Sequence, residues 1–96
     1  MEKLEYFAKV MKVVTELTEV TDQDILGKSR VREVVDARWM VIYLMYKKGY
    51  YADDITKLIQ HPERTVNHAI QMFPDRMENS DCNLGNIYLQ ARQQLL

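Results

Sequence analysis

The stretch that most constrains the fold of this chain runs from Ala52 to Gln71, ADDITKLIQHPERTVNHAIQ. When two short helices are joined by a tight turn, the fourth, eighth, fifteenth and eighteenth side chains must be apolar, because they lock the helices at a fixed angle. Those positions hold Ile55, Ile59, Val66 and Ala69. The stretch therefore predicts a helix-turn-helix, and an unrelated helical hairpin is the alternative that this spacing alone leaves open.

The second helix of this unit carries a polar face. Pro62 suits the start of a helix because its missing N–H would be unpaired there, and Pro74 disfavours a helical residue before it. We therefore expect this helix at about residues 62–73. Side chains three, four and seven residues apart on a helix project together. The polar residues at that spacing are Arg64, Asn67, His68 and Gln71.

The remaining apolar residues recur at helical spacing over most of the chain. Helices are expected at residues 2–19, 21–27, 37–48 and 84–95, besides the two of the helix-turn-helix. Thr21 can cap the second helix and Asp36 the third, whereas Gly27 and Gly49 suit the ends of these two helices. The predicted fold is all-α, a small bundle of five to six helices forming one domain over residues 1–96.

Positive charge is concentrated in the middle of the chain. The whole sequence has a net charge of -1, but residues 28–48 hold six cations and two anions, a net charge of +4 that leaves -5 on the rest. Residues 28–35 alternate charged and apolar side chains, and because nothing nearby offers a second strand, we expect a basic connecting loop. Such a region suits a localised anion site, although a solvated charged loop has the same composition.

Two segments resemble the C-terminal DNA-binding domain of the bacterial replication initiator DnaA, a member of the Trp-repressor-like helix-turn-helix superfamily. They are DILGKSRVREVVDARWMVIYL at residues 24–44 and TVNHA at residues 65–69. In the family these segments take the forms DLLGKSRxREIVxPRQIAMYL and RDHTTVxHA. The resemblance implies double-stranded DNA binding, linked to replication initiation or its regulation, with the later helix in the major groove.

The resemblance also implies roles for the basic middle of the chain, residues 28–38 above all. Arg30 matches an arginine that enters the minor groove, where a narrow AT-rich groove concentrates negative potential. Its neighbours among the candidate residues match positions near the DNA backbone. Two lysines at the end of the third predicted helix add further positive charge. The candidate phosphate and minor-groove residues are Lys28, Arg30, Arg32, Arg38, Trp39, Lys47 and Lys48. Trp39 fits the edge of the core equally well.

Base readout is assigned to the helix at residues 62–73. Thr65 and His68 match family residues that face the major groove. An arginine can donate hydrogen bonds to guanine, an asparagine can form hydrogen bonds with adenine, and a glutamate can accept a hydrogen bond from cytosine. The candidate base-reading residues are Glu63, Arg64, Thr65, Asn67, His68 and Gln71. A second interpretation of His68 is a surface histidine that is hydrogen-bonded within its helix. A second interpretation of Glu63 is a partner of the helix dipole.

The chain departs from the family pattern at the turn. His61, Pro62 and Glu63 stand where the family has RDH, and the turn is one residue shorter. Arg64 consequently falls where the family has its first threonine. Because base edges are distinguished by donor and acceptor placement, the preferred DNA sequence is expected to differ from the family's.

Several other functions find no support in the sequence. The three glycines form no phosphate-binding loop, and no nucleophile with a base or paired carboxylates suggests an enzyme. His61 and His68 lie too far apart along a helix to share a metal ion. Cys82 has no partner cysteine and is expected as a structural or surface thiol. We expect no metal, cofactor, small-molecule substrate or membrane segment.

The opening MEKLEYFAKV lacks the apolar core of a signal peptide, so we expect a cytoplasmic, nucleoid-associated protein. The alternative function is of another class. The net charge of -1 and the altered turn also suit a protein-interaction module that kept the fold without binding DNA.

Overall fold

The computed structural model describes residues 2–79 and 83–96. Within those residues the chain forms six helices and no strand, which confirms the all-α prediction. The helices are α1 (Lys3–Thr18), α2 (Asp22–Leu26), α3 (Arg32–Lys48), α4 (Ala52–Ile59), α5 (Glu63–Glu78) and α6 (Leu84–Gln94). Cys82, expected as a thiol without a partner, lies outside the described residues.

Helix α3 is the centre of the core. It packs against α1 on one side and α5 on another, with further contacts to α2, α4 and α6. Met40, Val41, Ile42 and Met45 are completely buried on it, as expected for a helix that is apolar almost all round. Phe73 of α5 is also completely buried, and its ring meets those of Tyr43 and Tyr88. Truncating such a ring to alanine costs about 3–5 kcal/mol of stability.

The start of α3 differs from the prediction. The helix begins at Arg32 instead of Ala37, and the N-cap is Val31 rather than Asp36. Val34 is buried in this first turn, and its contribution to the core outweighs the loop character of a charged stretch. The basic loop is therefore only residues 28–31. Arg32, expected in the loop, lies on α3.

The end of α5 also differs from the prediction. The helix does not stop before Pro74 but continues to Glu78. Proline cannot donate the hydrogen bond that would close this turn, which normally breaks or kinks a helix. Packing on both sides of Pro74 opposes that effect, because Phe73 is buried before it and Met77 packs against the core after it. Residues 75–78, beyond the predicted end of this helix, are helical.

Smaller local predictions have mixed outcomes. The Thr21 hydroxyl accepts a hydrogen bond from the Asp24 amide at 3.1 Å, which confirms the predicted cap of α2. Gly49 ends α3 with φ of 116°, a backbone conformation that favours glycine. Leu4 has the spacing of the buried residues Phe7 and Val10 on α1 but is itself 65% exposed. No described helix is long and apolar enough to cross a membrane.

Candidate nucleic-acid interface

Helices α4 and α5 form the predicted helix-turn-helix. The four side chains expected to lock them together are all completely buried: Ile55, Ile59, Val66 and Ala69. The turn between the helices begins at Gln60, which adopts a left-handed conformation with φ of 62°. The alternative of an unrelated hairpin is not needed, because this burial is the packing that the motif requires.

The polar face of α5 is open to solvent. Five of the candidate base-reading side chains are exposed: Glu63, Arg64, Asn67, His68 and Gln71. Thr65 is half-buried, with the apolar Val66 next to it facing the core. Helix α6 packs against α1, α3 and α5, yet it leaves this polar face uncovered. The arrangement has the form of a recognition helix, with a buried apolar side and an exposed hydrogen-bonding side.

The basic loop lies beside the start of this helix. Lys28 and Arg30 are exposed and line one groove together with Trp39, His61 and Thr65. Arg30 also lines a neighbouring groove with Arg32 of α3. We call the exposed polar residues of α5, together with Lys28, Arg30 and Arg32, the loop–α5 surface. The structure thus brings three of the six predicted cations beside α5, whose exposed side carries five of the six predicted base-reading residues.

Arg38 does not belong to that exposed set. It is only 5% exposed, and its guanidinium donates hydrogen bonds to four main-chain carbonyl oxygens. Those carbonyls belong to Asp24, Ile25, Gly27 and Ser29, at distances of 2.7–3.0 Å. Burial lowers the pKa of Arg38, and the nearby Asp24 carboxylate opposes that shift. The predicted phosphate contact is therefore corrected, because Arg38 holds the end of α2 and the basic loop in place.

His61 was not among the candidates, yet it connects the turn to the loop. Its Nε2–H donates to the Gly27 carbonyl at 2.7 Å, the same oxygen that accepts from Arg38. Burial lowers the pKa of His61; the bond to Gly27 raises it, and the charges of Arg38 and Lys28 lower it. The departure from the family pattern at this position was the signal that could have drawn attention to it. His61 and Arg38 together set the position of the loop relative to α5.

Trp39 lies beneath the loop–α5 surface, half-buried between α3 and α5. Its ring meets His68 edge to face, with 5.4 Å between ring centroids. The guanidinium of Arg76 lies 5.1 Å from the centre of the same ring. Arg76 also donates through Nε to the carboxylate of Asp36, which is buried on α3. Arg76 was not predicted as part of the site, because α5 was expected to end before Pro74.

Lys47 and Lys48 lie elsewhere. They are at the other end of α3, roughly 22–24 Å along the helix axis from Arg32 at 1.5 Å per residue. Lys47 lies 6.0 Å from the centre of the Tyr43 ring and Lys48 lies 5.1 Å from that of Tyr6. Both line a groove with Arg92 of α6, which we call the α3–α6 groove. The expected grouping with the basic loop is corrected, since a contiguous stretch of charge in the sequence is divided between two ends of one helix.

The described residues contain no group of three or more histidine, cysteine or carboxylate side chains placed to hold a metal ion. The grooves on the loop–α5 surface are open, and cationic and other hydrogen-bonding side chains line them together with apolar ones. Such a surface can bind an extended anion, because its donors are spread along one side of the molecule.

Comparison with known families adds one finding. The model of the family described as bacterial dnaA protein helix-turn-helix matches residues 7–72. The matched segment extends from the first helix into the later half of α5 and includes the basic loop, the turn and the exposed polar residues of α5. No curated protein and no solved structure matches the chain.

Proposed function

The chain belongs to the bacterial DnaA helix-turn-helix family, and we propose that it binds double-stranded DNA, with α5 in the major groove and the basic loop against the backbone and the adjacent minor groove. The observation that carries this proposal is the groove lined by Lys28, Arg30 and Thr65, which joins the basic loop to the start of α5. One duplex can contact both elements at once, as recognition by a helix and an arm requires.

Base recognition falls to the exposed side of α5. Arg64 can donate two hydrogen bonds to O6 and N7 of guanine, and Asn67 can pair with N6 and N7 of adenine. His68 and Thr65 suit acceptor atoms or the methyl group of thymine. Glu63 and Gln71, at the two ends of the face, can contact cytosine N4 and adenine respectively. This set defines a sequence preference of the chain's own, because Arg64 replaces the threonine of the family pattern.

Affinity comes mainly from the phosphates. Lys28, Arg30 and Arg32 are exposed, and neutralising DNA phosphates releases counterions from the duplex. If these three cations neutralise about three phosphates, the logarithm of the binding constant falls with that of the salt concentration with a slope of roughly -3. We assign Arg30 to the minor groove, whereas Lys28 and Arg32 hold the register. We infer a role in the cytoplasm, on the nucleoid, in replication initiation or its regulation.

The test begins with a selection from random duplexes, followed by fluorescence anisotropy titrations on the selected sequence. Arg64→Ala should weaken binding to that sequence by about 1–3 kcal/mol and relax the preference at one position. Arg92→Ala is the matched control, because Arg92 is an exposed arginine in the α3–α6 groove. Equal losses in the two variants, or no selected sequence at all, would contradict the proposal.

A protein-interaction module is the second candidate. The net charge of -1 favours a partner other than nucleic acid, because nucleic-acid-binding domains are usually basic. This candidate predicts no salt-sensitive binding to mixed duplex DNA at low ionic strength. The same anisotropy titration therefore separates the two functions.

A further inference from the structure

We propose that Arg76, Arg30 and Arg32 form one site for a phosphodiester group of the DNA backbone, and that Asp36 and Trp39 hold Arg76 in position for it. This inference rests on the proposed function and extends it. Arg76 lies beyond residue 72, where the match to the family model ends. The site therefore adds a contact that comes from this chain's own sequence.

The three arginines surround one groove. It is lined by Arg30, Arg32, Val35, Arg76 and Asn79. Three guanidinium groups thus approach from the loop, from the first turn of α3 and from the last turns of α5. Within residues 2–79 and 83–96 no acidic side chain lines the groove. Guanidinium groups match the geometry of phosphate oxygens through paired N–H donors. The chemistry of the groove favours a phosphodiester over a neutral ligand.

Arg76 is held before any ligand arrives. Its Nε–H is bonded to Asp36 and its guanidinium lies over the ring of Trp39. Its other guanidinium nitrogens make no hydrogen bond to the part of the chain that the structure describes, and they border the groove. An unrestrained arginine loses rotamer entropy when its side chain is fixed on a ligand. The contacts with Asp36 and Trp39 reduce that loss, because the side chain is already ordered.

The position of Arg76 along α5 also fits a backbone contact. It lies eight residues after His68, about 12 Å further along the helix axis. The start of a recognition helix contacts the bases, and its later part lies near the edge of a major groove that is about 12 Å wide. Trp39 contacts both His68 and Arg76, so the two side chains lie on the same surface. A duplex seated on His68 consequently brings a phosphate towards Arg76.

The first test measures the salt dependence of binding to the selected duplex. Arg76→Gln should reduce the magnitude of the log–log salt slope by about 0.9, with base preference unchanged, because one phosphate contact is lost. Arg76→Lys retains the charge and should recover most of the slope. Arg92→Gln, the matched control, should keep the wild-type slope. An unchanged slope in Arg76→Gln overturns the site, as does a changed base preference, which would mean that Arg76 acts through Trp39 on His68.

A second test asks whether Asp36 affects DNA binding by positioning Arg76 or only through its own negative charge. Asp36→Asn removes a negative charge near the DNA, so a purely electrostatic effect would tighten binding. If Asp36 positions Arg76, binding should weaken, and the double variant with Arg76→Gln should be no weaker than Arg76→Gln alone. Thermal unfolding of each variant checks that it is folded. Tighter binding by Asp36→Asn, or full additivity in the double variant, overturns the positioning role.

The last test identifies the phosphate. Duplexes that carry one neutral methylphosphonate linkage at successive positions should include one position that weakens binding by the wild type but not by Arg76→Gln. If no linkage shows this dependence, and inorganic phosphate alone perturbs Arg76 in an NMR titration, the groove binds free anions and not the DNA backbone. If the wild type binds no duplex at all, the failure belongs to the proposed function and not to the site at Arg76.

Discussion

The two ends of helix α3 carry similar charge but have different surroundings. At the start of the helix, Arg32 joins Lys28 and Arg30 beside the exposed polar residues of α5. At its end, Lys47 and Lys48 lie over tyrosine rings in a groove that they share with Arg92. Both sets belong to the same basic stretch of sequence. Only the first set lies next to side chains that can distinguish one base pair from another.

The difference shows what turns a cluster of cations into a candidate binding site. The loop is held by Arg38 and His61, whose hydrogen bonds meet at the Gly27 carbonyl. A Cβ added at Gly27 would lie 3.0 Å from the Gln23 carbonyl oxygen, so a larger residue there would force the loop to shift. The lysines in the α3–α6 groove have flexible stems and no such support among the described contacts. Charge alone attracts an anion, whereas cations on a rigid support hold that anion at a defined position.

The largest effect expected from this comparison is on stability. Arg38→Met should lower the free energy of unfolding by about 3 kcal/mol or more, because several carbonyl groups lose a charged donor inside the protein. Lys47→Met, an equal loss of charge at an exposed position, should change it by no more than about 0.5 kcal/mol. Chemical denaturation of the two variants measures both values. Equal free energies of unfolding for the two variants would show that Arg38 does not support the loop more than Lys47 supports the α3–α6 groove.

The next effect is on DNA binding. Arg30→Gln should reduce the magnitude of the salt slope by about 0.9, whereas Lys48→Gln should leave it unchanged, because only Arg30 lies on the loop–α5 surface. Anisotropy titrations at a series of salt concentrations give the two slopes. If Lys48→Gln lowers the slope as much as Arg30→Gln does, the duplex extends over both ends of α3 and the separation drawn here fails.

The smallest effect expected is a dependence on pH. Burial, with the charges of Arg38 and Lys28, lowers the pKa of His61 against the opposing bond to Gly27. A histidine with a lower pKa in the folded state binds its proton more readily when unfolded. Stability is therefore full above the unfolded pKa of about 6.5 and falls as the pH drops through the folded value.

His61→Gln should consequently lose less thermal stability than the wild type between about pH 7.5 and about pH 5.0. His68→Gln is the matched control, because it replaces the exposed histidine and retains His61. Melting temperatures across this range measure the difference. Parallel curves for wild type and His61→Gln would show that protonation of His61 does not affect stability.

Local patterns predicted much of the fold and part of the candidate site. The spacing of Ile55, Ile59, Val66 and Ala69 predicted a buried seam, and all four residues are in the core. The same spacing placed polar residues on the opposite side of α5, where they are exposed. These predictions succeeded because helical periodicity depends only on neighbours three and four residues away. The roles proposed for those polar residues in reading DNA remain predictions.

Contacts between distant residues were not predictable in the same way. Arg38 looked like a surface cation, but four carbonyls from α2 and the loop take up its donors. Pro74 looked like the end of a helix, but core contacts on both sides of it continue α5 to Glu78 and bring Arg76 to Asp36. In both cases local preference opposed tertiary packing, and tertiary packing prevailed.

The amino-acid sequence by itself therefore determined that this protein is helical, that it contains a helix-turn-helix, and which side of α5 is polar, because these properties follow from the periodicity of apolar residues. The tertiary structure alone decided which cations share a surface with that side. Residues 28 to 48 form one basic stretch in the chain, but a helix of 17 residues divides its charges between opposite ends. The sequence shows only the order of charges along the chain, whereas a bound anion contacts only the cations that folding brings together on one surface.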